Sequence, residues 1–332
     1  IFINMKKLLL YLSLVFTSLF ALEIMLRFYG YTPFRYFDYK VNSIHEYNEV
    51  LGWKPKKGNY TFKSKDDPEK FNKVTIMKQG NRFSGNNKES LGGIYLLGGS
   101  FVFGEGVSDN ETFAYYLNIL NPKYNVYNFS VPGYGTVQSL LMLKEIKNEL
   151  KLPEIIIYGF INHHKVRNVA RGEWLNHLLQ NSSKDSKFKP KVPYGVINKD
   201  SNLHFHSPIG YIMLPLREKL ALIAVLEKIY MKQITKNRKK QQHQVFHKSI
   251  YEMKKVADTM NSKFVVVNID LNKSESDKKL TDYLKNKDIS YVDCRVPNFQ
   301  KFKIKGDYHP NKLGHNFYSE CILNFLIKNN LK

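Results

Sequence analysis

From Gly93 onward the chain alternates two kinds of segment, and no other feature restricts its fold as tightly. The runs IYLLGG (94–99), NVYNFSV (125–131), EIIIYGF (154–160), KFVVVNID (263–270) and SYVDC (290–294) are short, apolar and rich in β-branched and aromatic residues, as buried strands are. Between and after them lie ETFAYYLNIL (111–120), TVQSLLMLKEIKNEL (136–150), KSIYEMKKVADTM (248–260), DKKLTDYLKNK (277–287) and NKLGHNFYSECILNFLIK (311–328). Their apolar positions recur at helical spacing. Strands that alternate with crossover helices pair in parallel and must be covered on both faces. The expected fold is therefore α/β, a five-stranded parallel sheet between two layers of helices.

Upstream of this pattern the chain reads differently. Lys6 and Lys7 precede LLLYLSLVFTSLFAL (8–22), fifteen residues without a charge, followed by Glu23 and IMLRF. As a helix, Leu8 to Leu26 covers about 28 Å, close to the hydrocarbon thickness of a bilayer. Small residues are thin near the expected cleavage point and no A-x-A is present, which favours an uncleaved signal anchor over a signal peptide. The two lysines place the start of the helix in the cytoplasm and the remainder outside it. Residues 1–4 read as an artefact upstream of the true start at Met5. The expected organisation is an anchor over 5–27, a membrane-proximal lead-in with short strands over 28–90, and the α/β domain over 91–332. An insertion at about 168–244 interrupts that domain. Its apolar helix YIMLPLREKLALIAVLEKIY (211–230) reads equally as a lid over the carboxyl edge of the sheet and as an ordinary amphipathic helix on the core.

The formal net charge is +22, which by itself would suggest nucleic acid or an anionic surface. Only eight of the 51 basic residues are arginine. No basic run is interleaved with aromatic residues, and KNRKK (236–240) is short enough to be a solvated face. Compositional bias is the simpler reading; nucleic acid is not expected as a partner, and an acidic envelope surface stays open. The two cysteines, Cys294 and Cys321, are too far apart for a C-x-x-C motif, and Cys321, in YSECILNFLI, reads as a small buried hydrophobe. His243 and His247 lie four apart but lack the glutamate of H-E-x-x-H, so they read as solvated, as do His204 and His206. No metal or cofactor is expected: Gln138 occupies the third glycine position that a dinucleotide fingerprint after Gly133 and Gly135 would need.

The chemistry lies in the residues just beyond the strand ends. GIYLLGGSFVFGEGV (93–107) runs an apolar strand into a bare Gly-Gly-Ser. A P-loop would need a lysine after Gly104, where Glu105 stands, and a nucleophile elbow would need glycine at 102, where valine stands. The surviving reading is Ser100 at the carboxyl end of a parallel strand, where open α/β sheets bind ligands. The second strand ends in SVPGYGTVQSL with Gly133, the third in YGFINHHKVRN with Asn162, and the last leads into GDYHPNKLGH with Asp307 and His309. A serine, a glycine amide, an asparagine amide and a histidine beside an aspartate are the parts of an acyl-transfer site. The hydroxyl needs a base, the base needs a group to hold its tautomer, and the oxyanion needs N–H donors.

These four blocks, GGS, VPGYGTVQS, GFINHH and GDYHPN, resemble in order those of the SGNH (GDSL-type) hydrolases. The resemblance runs from about Gly93 to the C-terminus. It implies a flavodoxin-like three-layer αβα sandwich, with Ser100 as nucleophile, His309 as general base and Asp307 as its orienting partner. It also implies an oxyanion hole made by the backbone N–H groups of Ser100 and Gly133 and the side chain of Asn162. This chain departs from the family pattern in three places. Gly99 stands where the first block usually has aspartate, a change expected to leave catalysis intact. Asn162 is followed by His163 where the family has aspartate, which leaves His163 or His164 as alternative donors. A single residue separates Asp307 from His309 where the family has two, which leaves a backbone carbonyl, or Asp293, as alternative partners of the imidazole. His315 is expected to cap or pack the last helix.

The expected function is that of a membrane-anchored serine esterase or O-acyltransferase outside the cytoplasm. Its substrate would be an acylated carbohydrate of the cell envelope or a small ester. The competing expectation is a noncatalytic glycan-binding or scaffold protein of envelope assembly that keeps the fold.

Overall fold

The computed structural model describes residues 5–37, 44–67, 69–85, 92–121, 123–150, 152–184, 189–270 and 276–331; residues 1–4, whose sequence reads as an artefact, lie outside them. The chain divides into two compact units. One comprises Ile1–Lys40, Arg171–Pro190 and Gly210–Asn237, the other Val41–Ala170, Lys191–Ile209 and Arg238–Lys332. The insertion expected from the sequence is thus shared between the two.

The first unit opens with α1 (Met5–Phe28). The second opens with the strands β1 (His45–Asn48), β2 (Gly52–Pro55), β3 (Gly58–Lys63) and β4 (Phe71–Ile76), paired as two antiparallel hairpins. It continues through β5 (Gly92–Gly98), α2 (Ser100–Phe103), α3 (Phe113–Leu120), β6 (Tyr124–Asn128), α4 (Thr136–Glu149), β7 (Ile155–Phe160) and α5 (His164–Arg167). Next come α6 (Gly172–Gln180) in the first unit, the hairpin of β8 (Val192–Ile197) and β9 (Leu203–Ile209) in the second, and α7 (Ala221–Ile234) in the first. After the short α8 (Lys236–Lys240), the second unit resumes with α9 (Gln242–Thr259), β10 (Lys263–Asn268), α10 (Ser276–Asn286), β11 (Ser290–Asp293), α11 (Phe299–Phe302) and α12 (Lys312–Lys328).

The sheet of the second unit runs β11-β10-β7-β5-β6, every neighbour parallel. In chain order of its own strands this is 2-1-3-4-5, the flavodoxin-like arrangement. The fold expected from the sequence is therefore the fold observed. The strands β5, β6, β7 and β10 are buried almost throughout, which is why they read as runs of mostly apolar and aromatic residues rather than alternating ones, whereas the edge strand β11 is half-exposed. One face carries Ile94, Leu96, Ile155, Ile157, Val265 and Val267 in a core that includes Phe113 and Leu117 of α3 and Tyr318, Ile322 and Leu326 of α12.

Helix ends reflect local chemistry. The helix read as starting at Glu111 begins at Phe113, because the Thr112 hydroxyl accepts from the Tyr115 N–H at 3.2 Å and caps it. The one at 248 starts earlier, at Gln242. Asn311 caps α12 by accepting from Gly314 N–H at 3.1 Å. The lead-in hairpins belong to the α/β unit: the Arg82 N–H donates to Asn128 O at 2.9 Å and joins the lead-in to the edge strand β6.

The reading of Cys321 as a buried apolar filler is corrected. Cys294 and Cys321 form a disulfide that ties the end of β11 to α12 across 27 residues of sequence. Sequence separation excluded a C-x-x-C motif but could not reveal that the sheet edge and the last helix meet there.

Candidate active site

Two glycines set the nucleophile's position. Gly98 ends β5 opposite Gly159 of β7. A Cβ on Gly98 would stand 2.4 Å from Val102 Cγ2 and 2.6 Å from Gly159 O, distances no real Cβ tolerates. Without those Cβ atoms α2 drops onto the strand ends, and Ser100 becomes the first residue of that helix. Its backbone N–H is among the donors that a helix's first turn leaves without an intrahelical acceptor.

The next glycine explains a departure from the family pattern. A Cβ on Gly99 would lie 2.8 Å from His164 Nε2 and 3.0 Å from Arg167 Nη1. Aspartate has no room there because α5 fills the space with a buried histidine and a buried arginine.

The fourth block arrives by a tight loop. Ile304 N–H donates to His309 O at 2.9 Å and Asp307 N–H to Ile304 O at 3.0 Å. Asn311 donates from Nδ2 to Lys303 O at 3.0 Å. The loop brings His309 Nε2 within 2.9 Å of Ser100 Oγ, and Asp307 Oδ1 within 2.7 Å of His309 Nδ1. Oδ1 also accepts from the backbone N–H of His309 at 3.1 Å. One intervening residue therefore suffices for contact, because the turn folds the carboxylate back onto the ring. Asp293, the alternative partner, is instead paired with Arg295.

Four charged residues whose role at the site is not legible in the sequence stand around this group or hold it in place. Glu105 Oε2 lies 3.5 Å from His309 Nε2. Lys65, from the loop between β3 and β4, forms an ion pair with Asp307 Oδ2, and Asp66 beside it accepts from Lys305 N–H at 2.6 Å. Arg82, fully buried, pairs with Asp109 at 2.8 Å and donates to the carbonyls of Phe103, Gly104 and Val107. It thereby holds the turn that carries Glu105. Glu105 stands within the GEGV segment, but no spacing rule links it to His309. Lys65 and Arg82 come from a lead-in whose sequence has no period to read.

The electrostatics reflect these neighbours. Burial of His309 disfavours its cation, but the carboxylates of Glu105 and Asp307 outweigh that and raise its pKa above the usual 6.5. Its hydrogen bond to His309 and its contact with Lys65 hold the Asp307 carboxyl far below the ordinary range, against the opposing effect of burial.

Of the other expected residues, Gly133 sits in a turn at φ +84°, a conformation that favours glycine. That turn is held to the end of β5 by Val131 N–H donating to Gly98 O at 3.1 Å. Asn162 comes just after β7; its N–H donates to Asp270 Oδ2 at 2.9 Å and its Oδ1 accepts from Lys165 Nζ at 2.6 Å. His164, one of the alternative donors, is fully buried, its Nδ1 2.7 Å from the Tyr158 hydroxyl, and burial pushes its pKa well below 6.5. His315 is buried in α12 and accepts at Nδ1 from Phe113 N–H at 3.3 Å, the packing role expected of it. His247 stacks on Tyr283 with ring centroids 4.6 Å apart.

No protein-family model matches the chain, and no curated protein matches it. Solved structures resemble it at low identity. An acetyl xylan esterase from the rumen bacterium Butyrivibrio proteoclasticus is 12% identical with a TM-score of 0.42, over 74% of this chain and 66% of that one. A member of the lipolytic G-D-S-L family from Veillonella parvula is 10% identical with a TM-score of 0.39, over 70% and 96%. A psychrotrophic esterase from Pseudoalteromonas sp. is 9% identical with a TM-score of 0.39, over 73% and 100%.

Proposed function

We propose that this chain is a serine ester hydrolase or O-acyltransferase of the SGNH type, held at a membrane by α1 and acting on an acylated carbohydrate outside the cytoplasm. The observation that carries the reading is the continuous hydrogen-bonded series from Ser100 Oγ through His309 to Asp307. In such a series Nε2 takes the hydroxyl proton as Oγ attacks an ester carbonyl, and Asp307 stabilises the imidazolium and fixes the tautomer. The backbone N–H groups of Ser100 and Gly133 and the side-chain amide of Asn162 are the proposed oxyanion donors. Collapse of the tetrahedral intermediate expels the alcohol, protonated by His309, and leaves an acyl-Ser100 ester. Water then regenerates the enzyme, or a sugar hydroxyl takes the acyl group; the two reactions share the acyl-enzyme and differ in the nucleophile admitted.

Two features support the location. The helix α1 is 24 residues long, with an 18-residue window of mean hydropathy 2.1. Its last turn is built into the first unit: Glu23 accepts from Ala221 N–H at 2.9 Å and Leu222 N–H at 2.8 Å, and Arg27 donates to Lys219 O at 2.7 Å. A segment removed on export would take those bonds with it, so a retained anchor is the better reading. The Cys294–Cys321 disulfide fits an oxidising compartment.

The test is reaction of the full chain in detergent with a fluorophosphonate and a p-nitrophenyl ester, with Ser100→Ala and His309→Ala alongside. Labelling and turnover are expected in the wild type, with turnover falling on the order of 10⁴-fold or more in Ser100→Ala. A folded wild type that neither labels nor turns over short esters or acylated oligosaccharides would refute the reading.

A further inference from the structure

The helix α7 carries two apolar stripes. Ala221, Ala224, Met231 and the Glu227 between them are buried within the first unit. On the opposite side Leu226, Ile229 and Tyr230 are exposed, Ile229 by 60%, a face that water does not favour and that an ordinary surface helix would make polar. The segment leading to α7 is similar: Ile212, Met213 and Leu216 are exposed, Leu216 by 55%. Lys228 and Lys232, four residues apart, are exposed along the flank between the two stripes.

The N-terminal end of α7 and the residues just before it are bonded to α1 within the same unit. Only the last turns of α1 are covered, at Leu22, Glu23 and Leu26, and there Glu23 accepts from the first N–H groups of α7 while Arg27 donates to Lys219 O. If α1 spans a bilayer, as the proposed function holds, the end that leaves the hydrocarbon is the end bonded to α7. Exposed Phe28 and Tyr29 come immediately after it, at the depth where aromatic side chains gather at the lipid–water boundary.

We propose that the segment from Ile212 to Leu216 and the outer face of α7 form a second membrane contact, seated in the headgroup region of an anionic bilayer. An apolar stripe flanked by lysines is the pattern of an interfacial helix, which lies in the plane of the surface with its apolar side about 5–10 Å into the boundary. The first unit is then fixed to the lipid surface rather than suspended from a single helix.

The experiment uses the full chain in vesicles of phosphatidylglycerol and phosphatidylcholine. Both native cysteines are bonded to each other, so single cysteines introduced by Leu216→Cys, Ile229→Cys, Leu14→Cys and Lys285→Cys can each carry a polarity-sensitive dye. Lipids with a quencher near the headgroup or deep in the acyl chain report position. At 216 and 229 the emission is expected to shift to the blue and to be quenched by the shallow lipid several-fold more than at 285, with position 14 quenched by the deep one. Quenching at 14 with water-like emission at 216 and 229 would overturn the second contact while leaving the anchor intact. Dry emission at 216 and 229 without lipid quenching would assign the surface to a protein and also overturn it. No quenching at 14 would overturn the spanning helix itself and the surface contact that rests on it.

Discussion

His309 stands between opposed charges, and its titration is the most direct way to read them. As the proposed base it must be neutral, so kcat/KM for a neutral ester is expected to fall as pH drops through its raised pKa. Glu105 favours the imidazolium; Glu105→Gln should lower that pKa and move the acid limb to lower pH. Lys65 opposes the imidazolium, so Lys65→Met removes a cation and should move the limb the other way. A pH–rate profile of the two variants checks both signs, and shifts in the same direction would refute this account of the field. Asp307→Asn keeps the shape but alters the tautomer, and should cost kcat on the order of 10⁴-fold.

At the scale of elements, the reactive turn depends on groups outside the sheet. Arg82 reaches from the lead-in beneath the turn after α2, where three backbone carbonyls and Asp109 share one guanidinium. Arg82→Ala would leave a buried carboxylate and those carbonyls without their donor. A loss of about 3–5 kcal/mol in stability is expected by denaturant unfolding, together with loss of fluorophosphonate labelling even where the protein remains folded. The disulfide acts at the far edge. Its loop of 27 residues corresponds to about 3–4 kcal/mol of chain entropy removed from the unfolded state. Reduction, or Cys321→Ser with Cys294→Ser, should lower the melting temperature without altering the pH profile of turnover, since neither sulfur touches His309 or Ser100.

For the whole molecule, the expectation concerns address. The lysines ahead of α1 predict that everything beyond it is exported. A cysteine introduced by Lys285→Cys, at an exposed position, should react with an impermeant maleimide added outside intact cells, whereas one introduced by Lys7→Cys should react only after lysis. The reverse pattern would place the site in the cytoplasm and remove the case for an envelope substrate.

The elements of the sheet were legible in the sequence itself, because its central strands are buried on two faces and therefore mostly apolar, and their crossover helices repeat at 3.6 residues. The sequence also offered Ser100, Gly133, Asn162, Asp307 and His309 as candidates, because in a parallel sheet the residues after each strand share one edge, and of these Ser100, His309 and Asp307 meet in one hydrogen-bonded series. Tertiary structure alone decided the rest, for a common reason: each contact joins segments that no local period relates. The turn at 304–309 carries Asp307 to the imidazole despite the short spacing, and α5 fills the space beside Gly99 with His164 and Arg167. Glu105, Lys65 and Arg82 are ordinary charged residues in sequence; only the folded chain brings exposed Glu105 and Lys65 to His309 and Asp307 and buries Arg82 beneath the turn that carries Glu105. The disulfide and the seating of Glu23 on α7 are of the same kind. Charge, apolar period and chain order are properties of a segment, whereas a neighbour some 200 residues away, as Glu23 is from Ala221, is a property of the folded chain.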